Sequence, residues 1–487
     1  MTYLNKYVLT GCLLLTESFA ITIYVPGDFP TIQNAINASN HGDSVLVFEG
    51  TYHENINFNG KNIIITSESG LETTIIEPNN NGPAVTLDSG ENGIVELSGF
   101  TIQNSYNSAN GGGIHVYNSS PNFKDLIIQN NAAFNMGGGI YINGGSQTFN
   151  NCKIYNNDVG DTNGGGLYCI HSESLYINNC EFKYNHSPKN GGGMYINDTY
   201  AVIENTQLIG NNEGIGGNNP MPSPKGGGVY IASSEVYFYN NIISSNQSYG
   251  AGGGVYGFDS VLEIHNTEIC DNTSLNYWQG AEGGGAGFYN STVFLNQVTL
   301  SGNLANSLQQ YNSDGISFKG SSIAHIYNSI IYDNDDAEIR LNDNACLTLG
   351  YTDIMGGISG ISGLNSSCLE YGANNINQDP LFVDSDSQDF ILQSNSPCID
   401  SGSADIDGDG IDDILGYYGS APDMGAFEWI GDQLGDINQD GSLDVLDIIL
   451  VVNIILNNAE YNELADMNQD NSINVLDIIL IVNIILE

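Results

Sequence analysis

Two twelve-residue stretches near the C-terminus place oxygen-bearing side chains at intervals that suit a hard divalent cation. In the first, Asp436, Asn438, Asp440, Asp444 and Asp447 occupy positions 1, 3, 5, 9 and 12, Gly441 stands at position 6, and Ser442 offers its carbonyl at position 7. Thirty residues later the pattern recurs as Asp466, Asn468, Asp470, Ser472, Asn474 and Asp477, with Asn471 where the glycine stood. Carboxylate and carbonyl oxygens at this spacing wrap a Ca2+ ion. A solvated acidic turn imitates one such loop by chance; two in one register argue for calcium. Each loop leads into an apolar segment, Ile448–Leu456 and Ile478–Leu486, so the spacing predicts a small helical domain built around two ions. A third stretch, Asp405, Asp407, Asp409 and Asp413 with Gly410 at position 6, has no clear carboxylate at position 12. A calcium site and an ordinary acidic turn fit it equally.

Catalytic chemistry is harder to place. Glycoside hydrolysis needs two carboxylates about 5–10 Å apart across a groove. The chain has 56 Asp and Glu, so such pairs arise by chance on any scaffold. Asp271 and Glu282 flank an inserted loop and are the first pair to test. Uronate elimination needs a basic residue and cations that neutralise the substrate carboxylate. The chain has 9 Lys and Arg in all, its one arginine being Arg340, and no Arg–Lys cluster in the sequence. Its 7 histidines are scattered. If the protein is an enzyme, a glycoside hydrolase is therefore preferred over a lyase.

The formal net charge of −47 removes the basic footprint that a nucleic-acid binder requires. With 40% hydrophobic residues the chain is nonetheless a folding one. Residues 1–20, with Lys6, an apolar run from Val8 to Leu15 and then Ser18-Phe19-Ala20, read as a secretory signal. Leu9-Thr10-Gly11-Cys12 imitates a lipid-acceptor site, but few apolar residues precede it. No other stretch has the ~20 apolar residues of a membrane-spanning helix. The expected location is extracellular, with possible attachment to the cell surface.

The elements that position these groups come from an internal repeat. Gly-Gly-Gly followed by a small or apolar residue begins at 111, 137, 164, 191, 226, 252 and 283. An apolar-x-x-Asn mark ends at Asn130, Asn157, Asn185, Asn211, Asn246, Asn272, Asn303 and Asn334. A second amide column runs through Asn151, Asn179, Asn205, Asn240, Asn266 and Gln297. Short alternating stretches such as Val236-Tyr237-Phe238 lie between. Alternation means strands, and the amides and glycines mean bends. Units this short bury an apolar face only by stacking, so three strands per repeat coil into a parallel solenoid with ~4.8 Å between equivalent residues. After each triple glycine the outward column reads His115, Tyr141, Tyr168, Tyr195, Tyr230, Tyr256 and then Gly287. Insertions at 212–225, 273–282 (with Tyr277 and Trp278) and 304–313 fall just upstream of that strand. Exposed rings in a row suit the apolar faces of sugars; rings that merely cover a sheet and stabilise each other fit the same pattern. Cys152 and Cys180 hold equivalent coil positions as stacked thiols or a disulfide, and Cys346 and Cys368 are a second possible pair.

These repeats resemble right-handed parallel β-helix proteins of the pectin-lyase-like superfamily. The stretches Val25-Pro26-Gly27-Asp28-Phe29-Pro30-Thr31-Ile32-Gln33 and Gly50-Thr51-Tyr52-His53-Glu54-Asn55 are similar to the start of pectin methylesterases, where an amphipathic helix closes the coil. Asp379-Pro380-Leu381-Phe382, Ser396-Pro397-Cys398-Ile399-Asp400 and Asp423-Met424-Gly425-Ala426-Phe427-Glu428 resemble a closing segment of secreted β-helices. The duplicated calcium loops are similar to type I dockerin modules, which implies Ca2+ as a ligand and a cohesin-like or other surface protein as partner. Positions 10 and 11 of such loops often carry a hydroxyl pair; here they are Val445-Leu446 and Val475-Leu476. The expected fold is all-β, a right-handed parallel β-helix solenoid followed by a small all-α, EF-hand-like domain. The expected divisions are a signal at 1–20, a cap and first coils at 21–93, repeats at 94–345, a closing segment at 346–430 and the dockerin-like domain at 431–487. Two functions follow. One is a carbohydrate-directed protein that binds, or binds and degrades, an extracellular polysaccharide while anchored through calcium. The other is a non-enzymatic surface or adhesion solenoid.

Overall fold

In this computed structural model, the described residues are 20–79, 82–213, 224–276, 282–307, 315–334, 337–363, 368–431, 434–438, 443–457, 462–468 and 472–486. The chain winds into a right-handed parallel β-helix whose strands form three sheets of 24, 12 and 8 strands. Among the described residues, every strand pairing is parallel apart from the antiparallel pair Phe382–Asp384 and Asp389–Leu392. The coil interior is a continuous apolar column, from Ile23 and Val25 at one end to Leu349 and Ile361 at the other.

The bends explain the amide columns. Asn151, Asn179, Asn205, Asn240, Asn266 and Gln297 all have φ between 46° and 56°, a left-handed geometry that asparagine tolerates. The other column is a buried ladder. Each side-chain oxygen accepts from the backbone N–H and the amide of its predecessor, as Asn157 does from Asn131 at 3.0 and 3.1 Å. Its own amide then donates to a carbonyl, Ile128 for Asn157. The first rung is Asn131, which is buried, and not Asn130, which sits in a left-handed bend with φ 54°. The ladder ends where Asn334 donates to the Glu338 carboxylate at 2.6 Å.

The triple glycines are required by close backbone approach. A Cβ at Gly165 would lie 2.4 Å from the His186 carbonyl oxygen and 2.5 Å from that of Gly192. No side chain fits between coils there.

Helix α1 (Ile32–Ala38) closes the N-terminal end and buries Ile32, Ala35 and Ile36. Glu54 accepts from the first N–H groups, those of Ile32 and Gln33, both at 2.9 Å. Lys61 donates to three carbonyls at the other end, Ile36, Asn37 and Ser39. Both ends of the helix dipole are thereby satisfied. At the C-terminal side the strands Cys346–Gly350 and Cys368–Tyr371 still extend the long sheet, and Cys346 and Cys368 form a disulfide between them. Cys152 and Cys180 remain free, stacked thiols. Residues 396–429 then return along the outside of the long sheet, where the Ala426 N–H donates to Thr299 Oγ1 at 2.9 Å. Helices α2 (Val445–Asn457) and α3 (Val475–Leu486) pack through Val451 and Ile481 on a separate small core. No helix among the described residues is long and apolar enough to cross a membrane.

Candidate functional site

The tyrosine column forms in the register its spacing predicts, on the 12-stranded sheet. Tyr141, Tyr168, Tyr195, Tyr230 and Tyr256 are consecutive partners, with centroids 4.7–5.7 Å apart and planes within 16°. His115 continues the stack at 5.0 Å. The expectation of an exposed platform is corrected by burial: Tyr141, Tyr168 and Tyr256 are only 6%, 6% and 4% exposed. Each interior ring has both faces covered by its neighbours. The glycine segment of its own coil also folds back over it; a Cβ at Gly164 would lie 2.8 Å from that of Tyr168. Only Tyr195 and Tyr230 are half-buried. Burial pushes the Tyr168, Tyr195 and Tyr256 hydroxyls up, so they stay protonated. Trp278 lies outside the described residues.

At Tyr256 the column stops. Gly287 and Ser317 follow in register, and Arg340 comes next. The Lys225 ammonium stands 4.4 Å from the Tyr256 ring centroid and donates to its hydroxyl at 2.8 Å. Lys319, beside Tyr289's strand, pairs with Glu282 at 3.0 Å. Lys225, Ala251 and Glu282 start successive coils in bridge register. The tertiary structure thus places Lys225, Lys319 and Arg340 on five consecutive coils of one face, a grouping the linear sequence does not show. Burial pulls the Lys319 ammonium down, but the Glu282 carboxylate outweighs it and holds the group above its ordinary value. That suits an anion or hydroxyl ligand and not a proton-abstracting base.

The carboxylates of the first pair, Asp271 and Glu282, each have another partner. Asp271 accepts from Gln388 of the C-terminal segment, while Glu282 is taken by Lys319.

In the C-terminal module, Asp447 accepts the N–H groups of Ile437 at 2.9 Å and Asp444 at 2.9 Å. Asp477 accepts from Asn474 at 2.8 Å and Asn468 at 3.4 Å, the same arrangement thirty residues on. Asp436, Asp447, Asp466 and Asp477 are all buried. Asn438, Asp444, Asn468, Ser472 and Asn474 lie on the same loops; Asp440, Ser442 and Asp470 lie outside the described residues.

The family comparisons divide the chain in the same way. Residues 83–267 and 138–311 match the right-handed β-helix region family, and residues 434–486 match the dockerin type I domain family. The chain is a right-handed β-helix protein with a C-terminal dockerin module. Solved structures similar to it include the pectate lyase Pel9A, with 15% identity, TM-score 0.38, 84% of this chain and 97% of that one covered. An alginate lyase from Paenibacillus sp. str. FPU-7 has 11% identity and TM-score 0.21 over 74% of this chain and 99% of that one. A mannuronic acid-specific family 6 lyase from human gut microbiota has 10% identity and TM-score 0.25 over 74% and 92%. No curated protein matches the chain.

The dockerin loops fit calcium on chemical grounds. Buried carboxylates require compensating charge, and residues 431–487 contain eleven Asp and Glu but no Lys, Arg or His. The residues that would hold the ions are Asp436, Asn438 and Asp447, and Asp466, Asn468 and Asp477. In the third acidic stretch Asp405, Asp407 and Asp413 bring carboxylate oxygens within 4.8 Å of one another. Asp409 does not join them, and its carboxylate accepts from the Ile411 N–H. Asp405 accepts from Gly408 and Gly410, bonds that an acidic turn also makes.

One feature escapes the repeat reading. The outer face of the long sheet carries a second aromatic run, Tyr200, Tyr237, Tyr239, His265, Phe294 and Tyr327, with successive centroids 5.1–6.5 Å apart. The outward positions of the alternating strands around Tyr237 and Phe294 are the signal that points to it.

Proposed function

We propose that this is a secreted, carbohydrate-directed protein whose solenoid binds an extracellular polysaccharide and whose dockerin module anchors it, with Ca2+, to a cohesin-like surface partner. The observation that carries the reading is the union in one chain of a β-helix and a duplicated, cation-free acidic loop module of the dockerin type. The polysaccharide runs beside the tyrosine column, touching ring edges and hydroxyls of Tyr195 and Tyr230 and not ring faces. Its polar or acidic groups meet Lys225, Lys319 and Arg340 at the column's end. Partner recognition falls to the exposed pairs Val445-Leu446 and Val475-Leu476, which present the same apolar surface twice. A third ion at Asp405, Asp407 and Asp413 belongs to the same proposal.

Retention of the purified chain on a panel of neutral and uronate polysaccharides, with and without chelator, tests this. At least one polysaccharide retains the protein, the double variant Lys225→Met/Lys319→Met loses retention, and chelator abolishes partner docking while sparing glycan retention. Retention by none sinks the carbohydrate reading. A second reading, a non-enzymatic surface or adhesion solenoid, is favoured by the mutual burial of the tyrosine faces, and it takes over in that outcome.

A further inference from the structure

The returning C-terminal segment does not seal fully against the long sheet. A cavity of about 260 Å³ opens between them. Its inner wall is Tyr239, His265 and Asn296, partners on three successive coils, with Gln297 beside them. Its outer wall is the stretch from Asp413 to Tyr417, together with Glu428. The outer wall is held by Gln297, which donates to Glu428 Oε1 at 2.8 Å, and by the Asp423 N–H, which donates to the same oxygen at 3.0 Å.

Two lining residues carry buried polar atoms without a hydrogen-bond partner, His265 Nε2 and Glu428 Oε2. The Glu263 carboxylate lies 3.5 Å from His265 Nε2 but outside bonding geometry. Buried polar atoms are as a rule hydrogen-bonded, so these two call for a ligand that supplies donors and acceptors. Burial raises the Glu428 carboxyl to about 7 and pulls the His265 imidazole down. Near neutrality the first therefore both donates and accepts, and the second is uncharged. Amides, two tyrosine rings, the Asp413 carboxylate and the apolar Ile414 and Leu415 complete the lining, and no Lys or Arg is among it.

We propose that this cavity is a binding site for one ring of a neutral saccharide, seated against Tyr239 and Tyr417 with its hydroxyls on Glu428, His265 and the amides. An anionic sugar finds no countercharge here and meets Asp413 and Glu428 instead. A volume just below the usual range of ligand sites leaves room for no more than a single ring. The cavity also sits on the second aromatic run, which offers adjoining rings a path along the sheet. The ligand class rests on the carbohydrate reading; the site itself stands on a different sheet from the tyrosine column.

Calorimetric titration of the full chain with glucose, galactose, mannose and xylose, and with glucuronate and galacturonate, tests it. At least one neutral sugar binds, the uronates bind at least tenfold more weakly, and Tyr417→Ala and Glu428→Gln each weaken binding tenfold or more. Tyr417 is on the outer loop, and a glutamine at 428 keeps an oxygen for Gln297 and Asp423, so both variants fold; an unchanged circular dichroism spectrum checks this. The proposal is overturned if no neutral sugar binds, if the uronates bind as well and Tyr417→Ala and Glu428→Gln weaken that binding, or if neutral-sugar binding survives both substitutions; uronate binding that Lys225→Met/Lys319→Met removes belongs to the tyrosine-column face. Retention on a polysaccharide column without any monosaccharide binding overturns this site alone and leaves the solenoid reading intact.

Discussion

Replacing Asn211 by leucine removes one rung of the buried amide ladder while keeping the branched shape of the side chain. The Asn211 side chain makes four hydrogen bonds. Its oxygen accepts from the Asn185 N–H at 3.1 Å and the Asn185 amide at 3.0 Å. Its nitrogen donates to the Phe182 carbonyl at 2.7 Å and to Asn246 Oδ1 at 3.0 Å. Two of the four partners keep other bonds: the Asn185 amide still reaches the Ile154 carbonyl, and Asn246 Oδ1 still accepts the Asn211 N–H. Those two losses cost ~1 kcal/mol each, and the Asn185 N–H and Phe182 carbonyl lose about 1–3 kcal/mol each. Asn211→Leu therefore destabilises by about 4–8 kcal/mol, read as a lowered urea midpoint. The control is Asn205→Gly, in the exposed column, where φ is 51° and the side chain donates to Asn178 and accepts from Asn240 at the surface. Glycine accepts that backbone at no steric cost, so its midpoint stays within about 1 kcal/mol of wild type. An Asn211→Leu midpoint no lower than that of Asn205→Gly refutes the ladder as a source of stability.

Chelation by EDTA should lower the helical circular dichroism of α2 and α3, because the buried carboxylates of both loops lose the only charges that balance them; Asp447→Ala reproduces half or more of the loss, and a helical signal indifferent to EDTA contradicts the calcium assignment. Glu268 is buried, and that burial, helped by Asp389, raises its carboxyl to about 7. Its folded value lies above the unfolded ~4.3, so the stability it contributes is complete below about pH 4 and is lost as pH rises through 7, a change on the order of 3 kcal/mol. Glu268→Gln should flatten the fall in unfolding midpoint between pH 5 and 8, and a slope equal to wild type argues against this carboxyl as its origin.

The parallel coil explains what was legible beforehand. Stacking places a residue beside the one about 26 positions away, so anything repeated at that interval becomes a column. The glycines, the bend asparagines and the tyrosines are such columns, and their register follows from spacing alone. The offset from Asn130 to Asn131 shows the limit, since adjacent asparagines have one spacing pattern but opposite surroundings, bend or interior. Lys225, Lys319 and Arg340 belong to no repeat, because loops of unequal length separate them, and nothing local signals that they share a face.

Spacing by itself determined the β-helix, the left-handed bends and the paired acidic loops of the dockerin module, because each depends on neighbours at fixed intervals along the chain. Tertiary structure decided everything that depends on what lies on top. Glycine segments cover the tyrosines and turn an expected platform into a mutual stack. A segment more than a hundred residues downstream folds over His265 and Gln297 and leaves an open cavity between them. Burial is a property of the whole surface, and no interval in the sequence encodes it.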